Sequence, residues 1–77
     1  MYHVTLIAAD GTTEMKTLED KPLMAEIREM VGGNPERIPR AVIVPKPYVG
    51  EMWCNGEAKP PRNKLYPHVY GAVLIIQ

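Results

Sequence analysis

The chain of 77 residues contains no phenylalanine, one tryptophan, one cysteine and two histidines, and its formal net charge is zero. Each shortage excludes something. Without Phe, the interior must be filled by Val, Ile, Leu, Met, Tyr and the single Trp53. One cysteine cannot close an internal disulfide, which fits a reduced, cytoplasmic setting. Cys54, His3 and His68 show none of the paired spacings that hold zinc, so no metal or other cofactor is expected. A neutral domain lacks the overall attraction that draws basic domains onto nucleic acid. The longest apolar run, Ala72 to Ile76, is far too short to cross a bilayer. The apolar opening residues have no basic leader, so no secretory signal is expected and no membrane partner is assigned.

The length sets one small domain, residues 1–77, near the lower limit of independent folding. Such a domain more readily offers a binding surface than a deep, water-excluding active site.

Tyr2 to Ala9 is rich in β-branched and apolar residues and stops at Asp10-Gly11, a pair suited to the centre of a tight hairpin. Thr12 to Leu18 reads as the returning strand. Asp20-Lys21-Pro22 predicts a helix start, with Pro in the first turn. Leu23, Met24, Ile27, Met30 and Val31 then recur at helical spacing, a stripe expected to face the core. Glu26 and Glu29 fall on the opposite side, and Gly32-Gly33 supplies a left-handed stop.

Prolines punctuate the next stretch at 35, 39, 45 and 47. They leave room for a short strand in Glu36 to Arg40, a buried strand in Ala41 to Val44, and a loop from Lys46 to Gly50. Glu51 to Cys54 reads as a strand, and Asn55-Gly56 predicts a second hairpin returning through Glu57 to Lys59. Pro60-Pro61 ends it. Gly71 then releases the wholly apolar Ala72 to Ile76, which needs a central or covered place. The order is ββαβββ, an α+β fold: a mostly antiparallel sheet with one helix on one face. A grasp-like arrangement, with the last strand inserted beside the first, satisfies this pattern.

Charge is unevenly spread. Residues 1–34 hold three cations against six carboxylates, a balance of −3; residues 35–77 hold six against three, a balance of +3. The basic half contains Lys59, Arg62 and Lys64 close in sequence to Trp53, Tyr66 and Tyr70. Cations interleaved with aromatics can grip a backbone and stack bases, so a nucleic-acid module over 59–70 is one reading. The other is a protein-binding surface, in which Tyr and Arg act as anchors and Lys lies at the rim. The candidate interaction residues are Tyr48, Glu51, Lys59, Arg62, Asn63 and Lys64, all expected to be exposed. A catalytic Cys54 would need His3 or His68 as its base, and nothing in the sequence brings either close. No catalytic residues are assigned, and the chain is read as a non-enzyme. Strand edges in so short a chain also allow a homo-oligomer.

Several short motifs run along most of the chain. They are Asp10-Gly11, Val31-Gly32-Gly33, Glu36-Arg37-Ile38-Pro39, Met52 to Lys59, Pro60-Pro61-Arg62-Asn63 and the closing Gly71 to Ile76. In this order they resemble a family of small proteins of unknown function carried by bacteriophages, plasmids and mobile elements. That family's pattern is Val-Gly-Gly, then Asn-Glu-Glu-Gly-Lys, then Pro-x-Asn. Here Asn34-Pro35 follows the paired glycines where the family has an aromatic and an acidic strand, and the middle turn is shortened to Asn55-Gly56-Glu57. The resemblance implies a phage or mobile-element context, and the reading adopted is an accessory protein in a bacterial cytoplasm that binds a host macromolecule, foremost a protein, with inhibition of a defence or transcription protein as its specific form. It implies no activity and carries over no catalytic residue.

Overall fold

The computed structural model describes residues 1–38 and 50–77. The expected strand Ala41–Val44, the loop from Lys46 and the candidate Tyr48 lie outside the described residues. The elements are β1 (Tyr2–Ile7), β2 (Thr13–Leu18), α1 (Met24–Val31), β3 (Pro35–Arg37), β4 (Glu51–Asn55) and β5 (Val73–Ile76). Among the described residues these form an antiparallel five-stranded sheet in the order β2-β1-β5-β4-β3 with one helix, an α+β architecture in the expected sequence order. The last strand sits beside the first: β5 pairs antiparallel with β1 (Ile7 opposite Val73) and with β4 (Cys54 opposite Val73).

Alternation along the strands sorts side chains into two layers. Val4, Trp53, Leu74 and Ile76 face α1 and pack with Ile27 and Val31. Ile7, Met52, Val73 and Ile75 face the other way and are covered by Tyr66 and Val69, together with Ile38. The central strand therefore buries all four of its residues, Val73 to Ile76. That is why it carries no polar residue at all. The segment that ends in Tyr70 contains no regular element, yet it is the lid of one core layer.

The Asp10-Gly11 hairpin forms, though not as a two-residue turn. The Gly11 N–H donates to the Ala8 carbonyl at 2.9 Å and the Ala8 N–H to the Thr12 carbonyl at 2.8 Å. Only Gly11, at φ 94°, takes the left-handed conformation; Asp10 does not. Its carboxylate instead accepts from the Thr12 N–H at 2.9 Å, making a three-residue loop with a glycine bulge.

Two expectations are corrected. Asn55-Gly56 is not a hairpin turn, and Glu57 to Lys59 is not a strand. The Asn55 side-chain oxygen accepts from the Glu57 N–H at 2.9 Å, and the Gly56 N–H goes to the Asn34 carbonyl at 2.8 Å. The chain is turned by the Asn55 side chain and by the Ala58 N–H bond to the Asn55 carbonyl, and is tied to the residue before β3, so no returning strand is fed. The helical stripe is also narrower than its spacing suggests. Ile27 and Val31 are buried and Met30 is half-buried, but Leu23 and Met24 are 70% and 56% exposed. The helix starts at Met24, with Pro22 ahead of it, and Glu26 reaches back to accept from the Leu23 N–H at 3.1 Å. It runs for eight residues over β3, β4 and β5, with Ile27 and Val31 against the sheet and Leu23 and Met24 at its start exposed. Gly32 ends it as expected, at φ 84° with its N–H bonded to the Arg28 carbonyl.

Candidate functional site

Asn63 organises the segment that carries the candidate cations. It follows Pro60, Pro61 and Arg62, where regular pairing is interrupted, and its side chain turns inward to 1% exposure. Its Nδ2 donates towards three carbonyls, those of Gly71 at 2.9 Å, Ile7 at 3.1 Å and Ala8 at 3.2 Å. An amide has two hydrogens, so one of these is shared. Its Oδ1 accepts from the Leu65 N–H at 2.9 Å and the Tyr66 N–H at 3.2 Å. Backbone bonds reinforce the clamp. Asn63 N–H donates to the Val69 carbonyl at 2.7 Å, and Lys64 N–H to the Ala9 carbonyl at 3.0 Å. One residue thus joins the end of β1, the approach to β5 and the loop between. This corrects its assignment as an exposed interaction residue: it is buried because those backbone groups need a partner away from water.

The flanking residues point outward. Lys59, Arg62 and Lys64 are all exposed. Arg62 lies over the ring of Tyr70, 5.5 Å from its centroid, and donates to the Pro67 carbonyl at 3.4 Å. Arg62 and Tyr70 also form an isolated antiparallel bridge. Lys64 stands against Gly11 at the β1–β2 loop, close enough to help hold the Asp10 carboxyl below its ordinary range, an effect dominated by the Thr12 N–H. Of the three aromatics near these cations in sequence, Trp53 and Tyr66 are buried and only Tyr70 is exposed.

Glu51 does not join this group. It begins β4 opposite Ile76, on the α1 face, whereas Asn63 and Lys64 sit at the end of the sheet where β1 finishes. There it forms an ion pair with Lys21, accepts from the Trp53 indole N–H at 3.2 Å and approaches Arg37 at 3.8 Å. Arg37 in turn covers the Trp53 ring at 5.4 Å. The Lys21 ammonium first, then the Trp53 N–H and the Arg37 charge, hold the Glu51 carboxyl below its ordinary value. Its folded value is depressed, so its contribution is present above the unfolded value and is lost as pH falls through the folded one. Glu51→Gln should therefore flatten the acid limb of stability against pH measured by urea unfolding, leaving the neutral region little changed in slope. An acid limb identical to the parent's would show that this cluster contributes nothing.

The fold does bring Cys54 and His68 to one open groove, with a volume of about 270 Å³, that Glu36 and Tyr70 also line. Sequence offered no reason for this, since the meeting depends on the irregular 59–70 segment folding back across the sheet. The electrostatics run against a nucleophile. Burial first, and the neighbouring Glu36 charge second, push the Cys54 thiol up. Among the described residues no group of three His, Cys, Asp or Glu side chains is placed to hold a metal ion. No helix among them is long and apolar enough to cross a membrane. Comparison with family models, with curated proteins and with solved structures finds no match to this chain.

Proposed function

We propose that this chain is a non-catalytic binding protein that engages an acidic surface on another protein through Lys59, Arg62, Lys64 and Tyr70. The observation that supports this reading is the Asn63 clamp. It fixes a segment with no regular structure against the sheet while its neighbours Arg62 and Lys64 remain exposed. A loop ordered before binding loses little conformational freedom on association, which favours affinity from few contacts. Arg62 held against Tyr70 gives an aromatic and a guanidinium at one point, the pair most often found at interface hot spots. A nucleic-acid partner is less well supported. Trp53 and Tyr66 are buried and unavailable for stacking, and zero net charge supplies no general attraction to phosphate. The mobile-element setting and a host defence or transcription protein as target belong to the same proposal and rest on the sequence resemblance.

The test is affinity capture from a nuclease-treated bacterial lysate, comparing the parent with the double variant Arg62→Glu/Lys64→Glu. Both positions are exposed, so stability should move by only about 0.5 kcal/mol. The expected result is a protein retained by the parent and lost by the variant. Identical captured proteins for the two would remove this surface, and dependence of capture on intact nucleic acid would move the reading to that class.

A further inference from the structure

Among the described residues the two sheet edges are unequal. β3 is a three-residue edge that begins at Pro35, while β2 offers six residues, five of them exposed. Met15 in its centre is 78% exposed. Among the described residues no strand lies beside it, and an edge of that length is a template for a further strand. From its charges and hydrogen-bond phase we infer that β2 pairs antiparallel with β2 of a second copy of this chain, in a register centred on Met15. This inference stands on β2 alone and is independent of the basic segment.

The phase follows from the ladder. His3 and Gln77 exchange both backbone bonds, at 3.0 and 2.9 Å, so the polar groups of His3 point towards β5. Those of Val4 and Leu6, its alternating neighbours, therefore point towards β2. Val4 lies opposite Lys16 and Leu6 opposite Glu14, so Lys16 and Glu14 spend their backbone groups on β1. Thr13, Met15 and Thr17 direct theirs outward. In a two-fold antiparallel pair, outward residues must meet outward residues, which leaves registers centred on Glu14, Met15 or Lys16. Centring on Glu14 sets Glu14 against its own copy, and centring on Lys16 sets Lys16 against its own. Both are repulsive. Centring on Met15 sets Glu14 against Lys16 of the second copy, twice, and both are non-hydrogen-bonded pairs, the type in which side chains approach most closely. Thr13 then meets Thr17 of the second copy, Met15 meets Met15, and all of these outward groups are paired. Charge thus selects one register of three, joining two sheets into one. The strip is short, so the interface falls at the weak end of the range, below about 1,200 Å².

Sedimentation equilibrium from about 10 μM to about 1 mM tests this, that being the range in which so small an interface associates. The parent should rise towards twice its monomer mass. Glu14→Lys and Lys16→Glu should each weaken self-association about tenfold, because two attractive pairs become repulsive. Mixed together, the two single variants should associate as a heterodimer, and the swap Glu14→Lys/Lys16→Glu should recover the parent's behaviour. Met15→Pro should leave a folded monomer, since the missing N–H is one that points away from β1. A parent that stays monomeric throughout overturns the inference. So does association that neither single variant weakens, which would place the contact elsewhere.

Discussion

Asn63→Ala should cost about 3–5 kcal/mol, as it removes both faces of a buried amide at once. The total stability of a domain of this length is roughly 4–12 kcal/mol, so the variant should be partly unfolded at room temperature or melt far below the parent. The reason is the asymmetry of buried hydrogen bonds. Each bond made contributes little net, but each buried group left without a partner costs its full desolvation. Alanine removes at once the amide's bonds to the Ile7, Ala8 and Gly71 carbonyls and to the Leu65 and Tyr66 N–H groups, of which the Ala8 carbonyl keeps the Gly11 N–H. Asn63→Asp sharpens the test. It keeps the shape and both accepted bonds, but sets a carboxylate oxygen against three carbonyl oxygens. Its folded pKa is raised, so the damage should be least below the unfolded value near about 3.9 and grow as pH rises above it. Circular dichroism melts of both variants at acid and neutral pH read this directly. Were Asn63→Ala to melt with the parent, the clamp would have no energetic weight, and the preorganised loop behind the proposed function would lose its basis.

The parts of this fold legible in the sequence are those fixed by local chemistry. Asp10-Gly11 announces a reversal because Gly11 must take a positive φ, and Gly32 announces the helix end for the same reason. Ala72 to Ile76 announces a covered strand because no polar residue interrupts it. What was not legible depends on contacts distant in the chain. Asn55-Gly56 has the composition of a hairpin, but its outcome was decided by the Asn34 carbonyl across the sheet edge. Leu23 and Met24 have the spacing of a core stripe, yet it is Ile27 and Val31 that pack on the sheet, while Leu23 and Met24 at the helix start stay exposed. Glu51 stood near Lys59 in sequence, but strand direction carried it to the opposite end of the sheet, against Lys21. Asn63 stands out in the sequence, but its burial does not. A polar side chain in a proline-rich stretch reads as exposed until the carbonyls of Ile7 and Ala8, more than fifty residues earlier, are known to converge on it. The candidate site was legible as composition and not as geometry.

The second large effect belongs to Leu74→Ala, with an expected loss of about 3–5 kcal/mol. Leu74 is wholly buried in the middle of the central strand, opposite Leu6 of β1 and Trp53 of β4. It belongs to the layer that α1 covers with Ile27 and Val31. Shortening it removes apolar contact from water-free surroundings and leaves a cavity that three hydrogen-bonded strands cannot close by shifting. Met24→Ala is the contrast that gives this meaning. Both are large apolar residues that sequence spacing assigns to the core, but Met24 is mostly exposed, and alanine is the better helix former. It should change stability by no more than about 0.5 kcal/mol. Urea unfolding of the two variants therefore asks whether α1 sits where the packing places it. A large loss for Leu74 with none for Met24 supports a helix that packs through Ile27 and Val31 and leaves Met24 outside the core. Equal, large losses would put the first turn of α1 back over the core.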